Sequence, residues 1–177
     1  MILIFEGPDN GGKSTICKLL TEQYEVNFDK FIRHHNPTEM LIQVMETLQH
    51  PEERGWDKGV TVLDRWYYPS DITNERVYTG EVSILEPYRK RIEDALKKLD
   101  THLIYVVAPI EVIKERYDKR GDEFVGFDQI AEVYEAYIKF MEETSLPVMM
   151  IYTDTSTPQE CVDKIATKFQ LTEKGGE

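Results

Sequence analysis

Residues 7 to 14 read Gly-Pro-Asp-Asn-Gly-Gly-Lys-Ser, and no other run in the chain constrains its fold as tightly. A short apolar strand candidate, Ile2 to Phe5, precedes it. A segment of helical period follows from about Gly12, with Ile16, Leu19 and Leu20 on one face. Strand, glycine-rich turn and helix in that order match GxxxxGK[ST] without a gap. Gly7, Gly11 and Gly12 let the backbone wrap, through Asn10, so that several N–H groups point inward, and the helix N-terminus adds the positive end of its dipole. Lys13 then reaches the β and γ phosphates of a bound nucleotide, and the Ser14 hydroxyl, followed by Thr15, can ligate Mg²⁺. ATP and Mg²⁺ are therefore the expected cofactors. Such a loop alone does not separate kinases from GTPases, ATPases or switch proteins.

The remaining pattern fits the same architecture. Apolar runs rich in β-branched residues recur at Phe28 to His34, Val60 to Leu63, Leu103 to Val107 and Val148 to Tyr152, each followed by a helix candidate. One helix runs from about Leu85, with Tyr88, Ile92, Leu96 and Leu99 at spacings of three and four. Pro109 and Glu111 open another, and Thr157, Pro158 and Glu160 supply a cap, a first-turn proline and a capping-box acid for the last. This predicts an α/β P-loop sandwich of three layers, a five-stranded parallel sheet flanked by helices. A single domain over 1–172 and a frayed tail over 173–177 are expected.

Composition narrows the partners. Asp plus Glu number 33 against 21 Lys plus Arg, a formal net charge of -12, which argues against duplex nucleic acid or an anionic membrane as the main partner. A small anionic ligand sees a local pocket instead. Cys17 and Cys161 lie outside any metal or redox spacing and read as reduced thiols. The first apolar run is too short for a signal peptide and no later one reaches membrane-spanning length, so a cytoplasmic location is expected. His34 and His35, adjacent on a strand candidate, point to opposite faces and do not chelate one ion together.

Neither the DxxG switch nor the NKxD guanine-reading element of a GTPase appears as a clean match. Instead the third strand ends in Asp64-Arg65-Trp66, an acid and a base at the carboxyl edge of the sheet beside the loop. Asp64 can hold Mg²⁺ directly or through water, and Arg65 can clamp a second phosphate bidentately. Trp66, Tyr67 and Tyr68 serve either as a pocket floor or, more commonly for aromatics at such a junction, as core.

With these residues the sequence resembles the thymidylate kinase branch of the P-loop nucleoside monophosphate kinases. Phe5 to Thr15, FEGPDNGGKST, is similar to the family's FEGxDxxGKST; Asp64-Arg65-Trp66 resembles its DR[YH] element; and Arg116, Lys119 and Arg120 in ERYDKRGDE resemble its basic lid, here about 114–126. The resemblance implies that Asp9 approaches the acceptor's 3'-hydroxyl, that Arg65 holds its 5'-phosphate and that Asp64 assists Mg²⁺ or the acceptor phosphate. It also implies a homodimer. Because Asn10 and no arginine follows Asp9, it implies the design in which lid arginines stabilise the phosphoryl group in transit. Arg116 and Arg120 are spaced i, i+4, on one helical face before Gly121, and such an arginine contributes on the order of 10³ to 10⁵ in rate.

The acceptor side departs from the pattern. Ser70 falls at the family's second serine, but Thr73 and Asn74 stand where tyrosine and glutamine would contact sugar and base. Asn74 is then the candidate to read a base edge and Tyr78 the substitute aromatic. Related deoxynucleoside kinases use a glutamate before a proline as general base; here that proline is Pro37, preceded by Asn36. A monophosphate, ionised near a second pKa of about 6, needs clamping more than deprotonation, and Arg33 offers a second positive contact. Glu39 is the one nearby carboxylate that could serve as a base instead. The expected activity is phosphorylation of a deoxynucleoside monophosphate, dTMP leading. A deoxynucleoside kinase and a non-catalytic nucleotide switch are the alternatives.

Overall fold

The computed structural model describes residues 1–30, 36–81, 83–120 and 126–175, without the side chains of Asn74, Glu75 and Arg120. Five strands, β1 (Ile2–Glu6), β2 (Asn27–Lys30), β3 (Thr61–Asp64), β4 (Thr101–Val107) and β5 (Val148–Tyr152), form one sheet in the order β2-β3-β1-β4-β5. Every pairing is parallel. The helices are α1 (Lys13–Gln23), α2 (Pro37–Gln49), α3 (Tyr67–Ser70), α4 (Arg76–Thr79), α5 (Arg89–Lys98), α6 (Ile110–Arg120), α7 (Ile130–Glu143) and α8 (Pro158–Phe169).

Parallel strands joined by helical crossovers are covered on both faces, and β1, at the centre, is buried throughout. Its side chains alternate between two cores as the strand period requires. Leu3 and Phe5 pack with Ile16 and Leu20 of α1 and Val162 and Ile165 of α8. Ile2 and Ile4 face Met40 and Val44 of α2, Ile92 and Leu96 of α5 and Phe140 of α7. The expected three-layer sandwich is therefore formed. Cys17 and Cys161 are buried and unbridged.

Several local expectations hold in detail. The box at α8 is closed: the Thr157 N–H donates to Glu160 Oε2 at 2.7 Å and the Glu160 N–H to Thr157 Oγ1 at 3.2 Å. The helix expected from Leu85 begins instead at Arg89, after a 3-10 turn over Glu86–Tyr88 that contains Pro87. A proline fits the opening turn, where no intrahelical donor is needed. In the second strand only 27–30 are paired among the described residues; 31–34 of the expected run, including His34, lie outside them, as does His35. The bridge between Tyr24 and Glu173, with Lys174 N–H donating to Gln23 O at 2.8 Å, ties the start of the segment expected to be frayed to the end of α1. Among the described residues no helix is long and apolar enough to cross a membrane.

Between α3 and α4 the chain makes a π turn over Asp71–Glu75, so residues 67 to 79 run as one helical segment with a shifted register. Trp66, Tyr67 and Tyr68 belong to the core. Trp66 meets Trp56 edge to face at 5.7 Å between centroids.

Candidate active site

The order of the sheet reverses at β1, with β3 on one side and β4 on the other, and the 7–14 loop leaves the carboxyl end of that strand. This is the crevice where ligands bind in open parallel sheets. Gly7 has φ +142°, and a Cβ there would lie 2.1 Å from the Val106 carbonyl oxygen, so the loop hugs β4 in a way only glycine permits. Asn10 and Gly12 take left-handed φ of 60° and 99°. Gly12 caps α1 without a side-chain bond, and the first turn carries no acid. The leading N–H groups of α1 are thus not claimed by a capping side chain and are available to an anion.

Lys13 folds back over this loop. Its buried Nζ donates to Gly7 O at 2.7 Å and Pro8 O at 2.6 Å. Burial, aided by the Arg65 guanidinium nearby, brings its ammonium down to about 8, against the pull of Asp9, Glu6 and Asp64. From the next residue, Ser14 Oγ donates to Asp64 Oδ2 at 2.8 Å. A hydroxyl and a carboxylate so placed are hard oxygen donors suited to Mg²⁺, which binds phosphates with one or two protein oxygens and retains water. Among the described residues no cluster of three or more acidic, histidine or cysteine side chains forms a separate metal cage.

Arg65 is the centre of a second group. Its backbone is left-handed, φ 69°, a strained state that non-glycine residues hold only when the surroundings fix it. Those surroundings are explicit. Nη2 donates to Asp9 Oδ1 in an ion pair, Nη1 donates to the Tyr137 hydroxyl, and Nη1 lies 3.5 Å from Glu6 Oε2. Tyr137 in turn donates to Glu6 Oε2 at 2.9 Å. The other oxygen of Glu6 accepts from the Trp66 N–H at 3.0 Å and from Ser70 Oγ at 3.2 Å. Burial pushes the Glu6 carboxyl above its ordinary range, while Arg65 and these donors oppose the rise. For Asp9 burial also acts upward, but Arg65, Lys13 and a 2.6 Å bond from Tyr78 outweigh it and bring the carboxyl down to about 2.

Of the residues singled out in the sequence, Asp9, Lys13, Ser14, Asp64, Arg65 and Tyr78 are brought together at this sheet edge. Ser70 is not on the open side: it is 1% exposed and its hydroxyl is spent on Glu6, because the first turn of α3 aims it back at β1. Arg116, one of the two arginines the resemblance offers for the transferring phosphoryl group, braces the outside of the loop. It donates to the carbonyls of Asn10 and Gly11 at 3.3 and 3.5 Å and to Thr153 Oγ1 and O at 2.9 and 2.8 Å. The wrap that turns N–H groups inward turns carbonyls outward, and α6 offers them this cation. Arg33, the Asn74 and Arg120 side chains and lid residues 121–125 lie outside the described residues.

Asn36 caps α2, its Oδ1 accepting from Thr38 N at 2.9 Å and Glu39 N at 3.4 Å. Glu39 is exposed and accepts from Asn36 Nδ2 at 3.3 Å. Sequence reasoning passed over Glu6, Thr153 and Tyr137. The signal for the last was available: Ile130, Val133, Tyr137 and Phe140 form a buried helical stripe whose one hydroxyl demands a partner.

No protein-family model matches the chain. It is 26% identical to the SPbeta prophage-derived uncharacterized protein YorR of Bacillus subtilis, covering 82% of this chain and 84% of that protein. It is likewise 26% identical to the probable thymidylate kinase 1 of Saccharolobus solfataricus, over 94% and 97% of the two chains. The crystal structure of YorR in complex with phosphorylated GDP superposes with a TM-score of 0.72 at 22% identity over 96% of each chain. Deoxyadenosine kinase from M. mycoides with bound dATP superposes with 0.63 at 15% identity, over 96% of this chain and 100% of that one. The chain is thus similar in sequence to a thymidylate kinase-like protein and has the fold of the P-loop nucleotide and nucleoside kinases.

Proposed function

We propose that the protein transfers the γ-phosphoryl group of ATP to a deoxynucleoside monophosphate, with dTMP the leading candidate. The observation that carries this reading is the pairing of Lys13 and Arg65 at one cleft, with no base seen opposite them among the described residues. The position that supplies a glutamate base in nucleoside kinases is Asn36, committed to capping α2, and Glu39 is turned to Asn36. A monophosphate acceptor, already ionised, needs only positioning and charge neutralisation.

In this reading an acceptor phosphate oxygen attacks Pγ in line as the bond from Pγ to the β–γ bridging oxygen breaks, and ADP leaves with that electron pair. Lys13 and the N–H groups of the 7–14 loop bind the nucleotide phosphates. Ser14 and Asp64 would hold Mg²⁺, which supplies charge neutralisation across the β and γ phosphates when bound. Arg65 clamps the acceptor phosphate, with Arg33 as a second contact. Asp9 and Tyr78 face the sugar, and Asn74 the base. Arg116 fixes the loop from behind, leaving Arg120 of a lid over 114–126 as the arginine for the transition state. The active unit is one domain, assembled as a homodimer.

A second reading, a deoxynucleoside kinase, is favoured by the likeness to the M. mycoides deoxyadenosine kinase fold. A coupled ATPase assay against a panel of deoxynucleosides and their monophosphates separates the two. Turnover with a monophosphate, lost in Lys13→Ala, is expected. Turnover of a nucleoside and no monophosphate would overturn the choice, and nucleotide binding without turnover for any acceptor would leave a switch protein.

A further inference from the structure

Arg65 is the most heavily constrained side chain at the site, and its constraints are unequal at its two ends. One terminal nitrogen, Nη2, meets the loop carboxylate of Asp9, which is 28% exposed as a side chain. The other, Nη1, is enclosed by the Tyr137 hydroxyl and by Glu6, both fully buried. Tyr137 reaches this point from α7, 72 residues along the chain from Arg65 and on the far side of the lid. Its ring stacks on Tyr105 of β4 at 6.0 Å between centroids, so the hydroxyl has little freedom to move. A planar guanidinium gripped at one edge presents the other edge in a fixed direction.

We infer that Tyr137, acting with Glu6, is a positioning residue that holds Arg65 by its inner edge and aims its outer edge at the acceptor anion. The inference deepens the proposed function, since it rests on Arg65 as the acceptor's contact. Tyr137 touches no substrate. Its hydroxyl accepts from Arg65 and donates to Glu6, and Glu6 in turn fixes the backbone after Arg65 through the Trp66 N–H. Without the hydroxyl, Nη1 loses its nearest acceptor, and the side chain regains rotamers that the left-handed backbone at residue 65 does not restrict. Because α7 follows the lid, this contact also makes the aim of Arg65 depend on the seating of that helix.

The test is Tyr137→Phe, which keeps the ring and removes one oxygen, with Glu6→Gln as a second variant that keeps the acceptor for the Trp66 N–H. Two readouts are needed. The first is the Arg65 Nε–Hε resonance in a ¹⁵N spectrum of the full chain, assigned by its loss in Arg65→Ala. It should be sharp in the wild type and broadened or lost in both variants. The second is dTMP affinity by calorimetry, with ATP affinity as control. A hydrogen bond to a charged group makes a difference of about ten- to a hundredfold, so dTMP should bind at least about tenfold more weakly to Tyr137→Phe with ATP affinity unchanged. The loss should disappear on an Arg65→Ala background, since the two side chains act as a unit.

A retained Arg65 resonance in both variants, or a loss in dTMP affinity that adds to that of Arg65→Ala, overturns the inference. If the resonance is lost but Arg65→Ala itself leaves dTMP affinity unchanged, Tyr137 still positions Arg65, and it is the proposed acceptor role that fails.

Discussion

Replacing Gly7 by alanine tests whether the loop's shape is set by close approach to β4. Two costs add at this site. The φ of +142° lies where L-residues are strained by about 1–3 kcal/mol. The new methyl would also sit 2.1 Å from the backbone oxygen of Val106, which cannot swing away without breaking β4, and overpacking of this kind costs about 1–3 kcal/mol. Together they give about 4 kcal/mol, or roughly 8–16 °C in Tm for a chain of this size. Gly12→Ala is the internal control. Its φ is +99°, but the nearest atom is Thr153 Cγ2 at 3.6 Å, so only the conformational cost applies. Chemical denaturation of both variants, with ATP affinity measured in parallel, should rank Gly7→Ala well above Gly12→Ala in lost stability. Equal losses would show that contact with β4 does not set the loop, and would refute the reasoning.

Lys13 gives a pH signature. Its folded pKa of about 8 lies below the ordinary 10.5, so the folded state releases this proton before the unfolded state does and gains stability as pH rises from about 8 to 10.5. Relative to Lys13→Met, which has no such proton, the wild type should gain on the order of 2–3 kcal/mol across that window by denaturant titration, and a flat difference would contradict the burial of Lys13. Asp9 has the same sense in a lower window. Its depressed carboxyl stabilises the fold fully above about pH 4, and the advantage over Asp9→Asn should shrink as pH falls toward about 2; an advantage constant down to pH 3 would contradict the ion pair with Arg65. Thr157→Ala removes the cap of α8 and should cost about 1 kcal/mol, seen as a fall of about 2–4 °C in Tm.

The parts of the site legible in the sequence are those whose partners lie close in the chain or whose motif fixes its own context. The 7–14 loop is of that kind, because a strand, three glycines, a lysine and a helix leave one way to wrap. Asp64 and Arg65 were found because they end a strand, and a strand end in a parallel sheet faces the crevice. For Ser70, spacing from Asp64 says nothing of direction, and the turn of α3 aims its hydroxyl inward at Glu6. The family resemblance points to Arg116 or Arg120 for the phosphoryl group, and the outward carbonyls of Asn10 and Gly11 that hold Arg116 here are a product of the folded loop, invisible in the sequence. Nothing near Glu6 in the sequence marks its role, since its four partners come from residues 65 to 70 and, 131 residues away, from Tyr137.

These long-range partners also explain how a chain of net charge -12 keeps charged basic side chains at this cleft. The basic groups at the site are each held by something other than a ligand: Lys13 by two loop carbonyls, Arg116 by loop and Thr153 oxygens, and Arg65 by Glu6, Asp9 and Tyr137. A buried cation without such partners would lose its proton or, for arginine, destabilise the fold. Carbonyls and hydroxyls stabilise the charge without cancelling it. Of the carboxylates here, Asp64 accepts from Ser14, Glu6 is buried behind the Arg65 guanidinium, and Asp9 meets its other edge from the partly exposed loop. In the proposed function a phosphate arriving at Arg65 competes with the carboxylate of Asp9, while Glu6 and Tyr137 keep the guanidinium in place. Positive charge is concentrated by geometry in a few residues, and the acidic remainder of the chain does not have to change for a polyanion to bind.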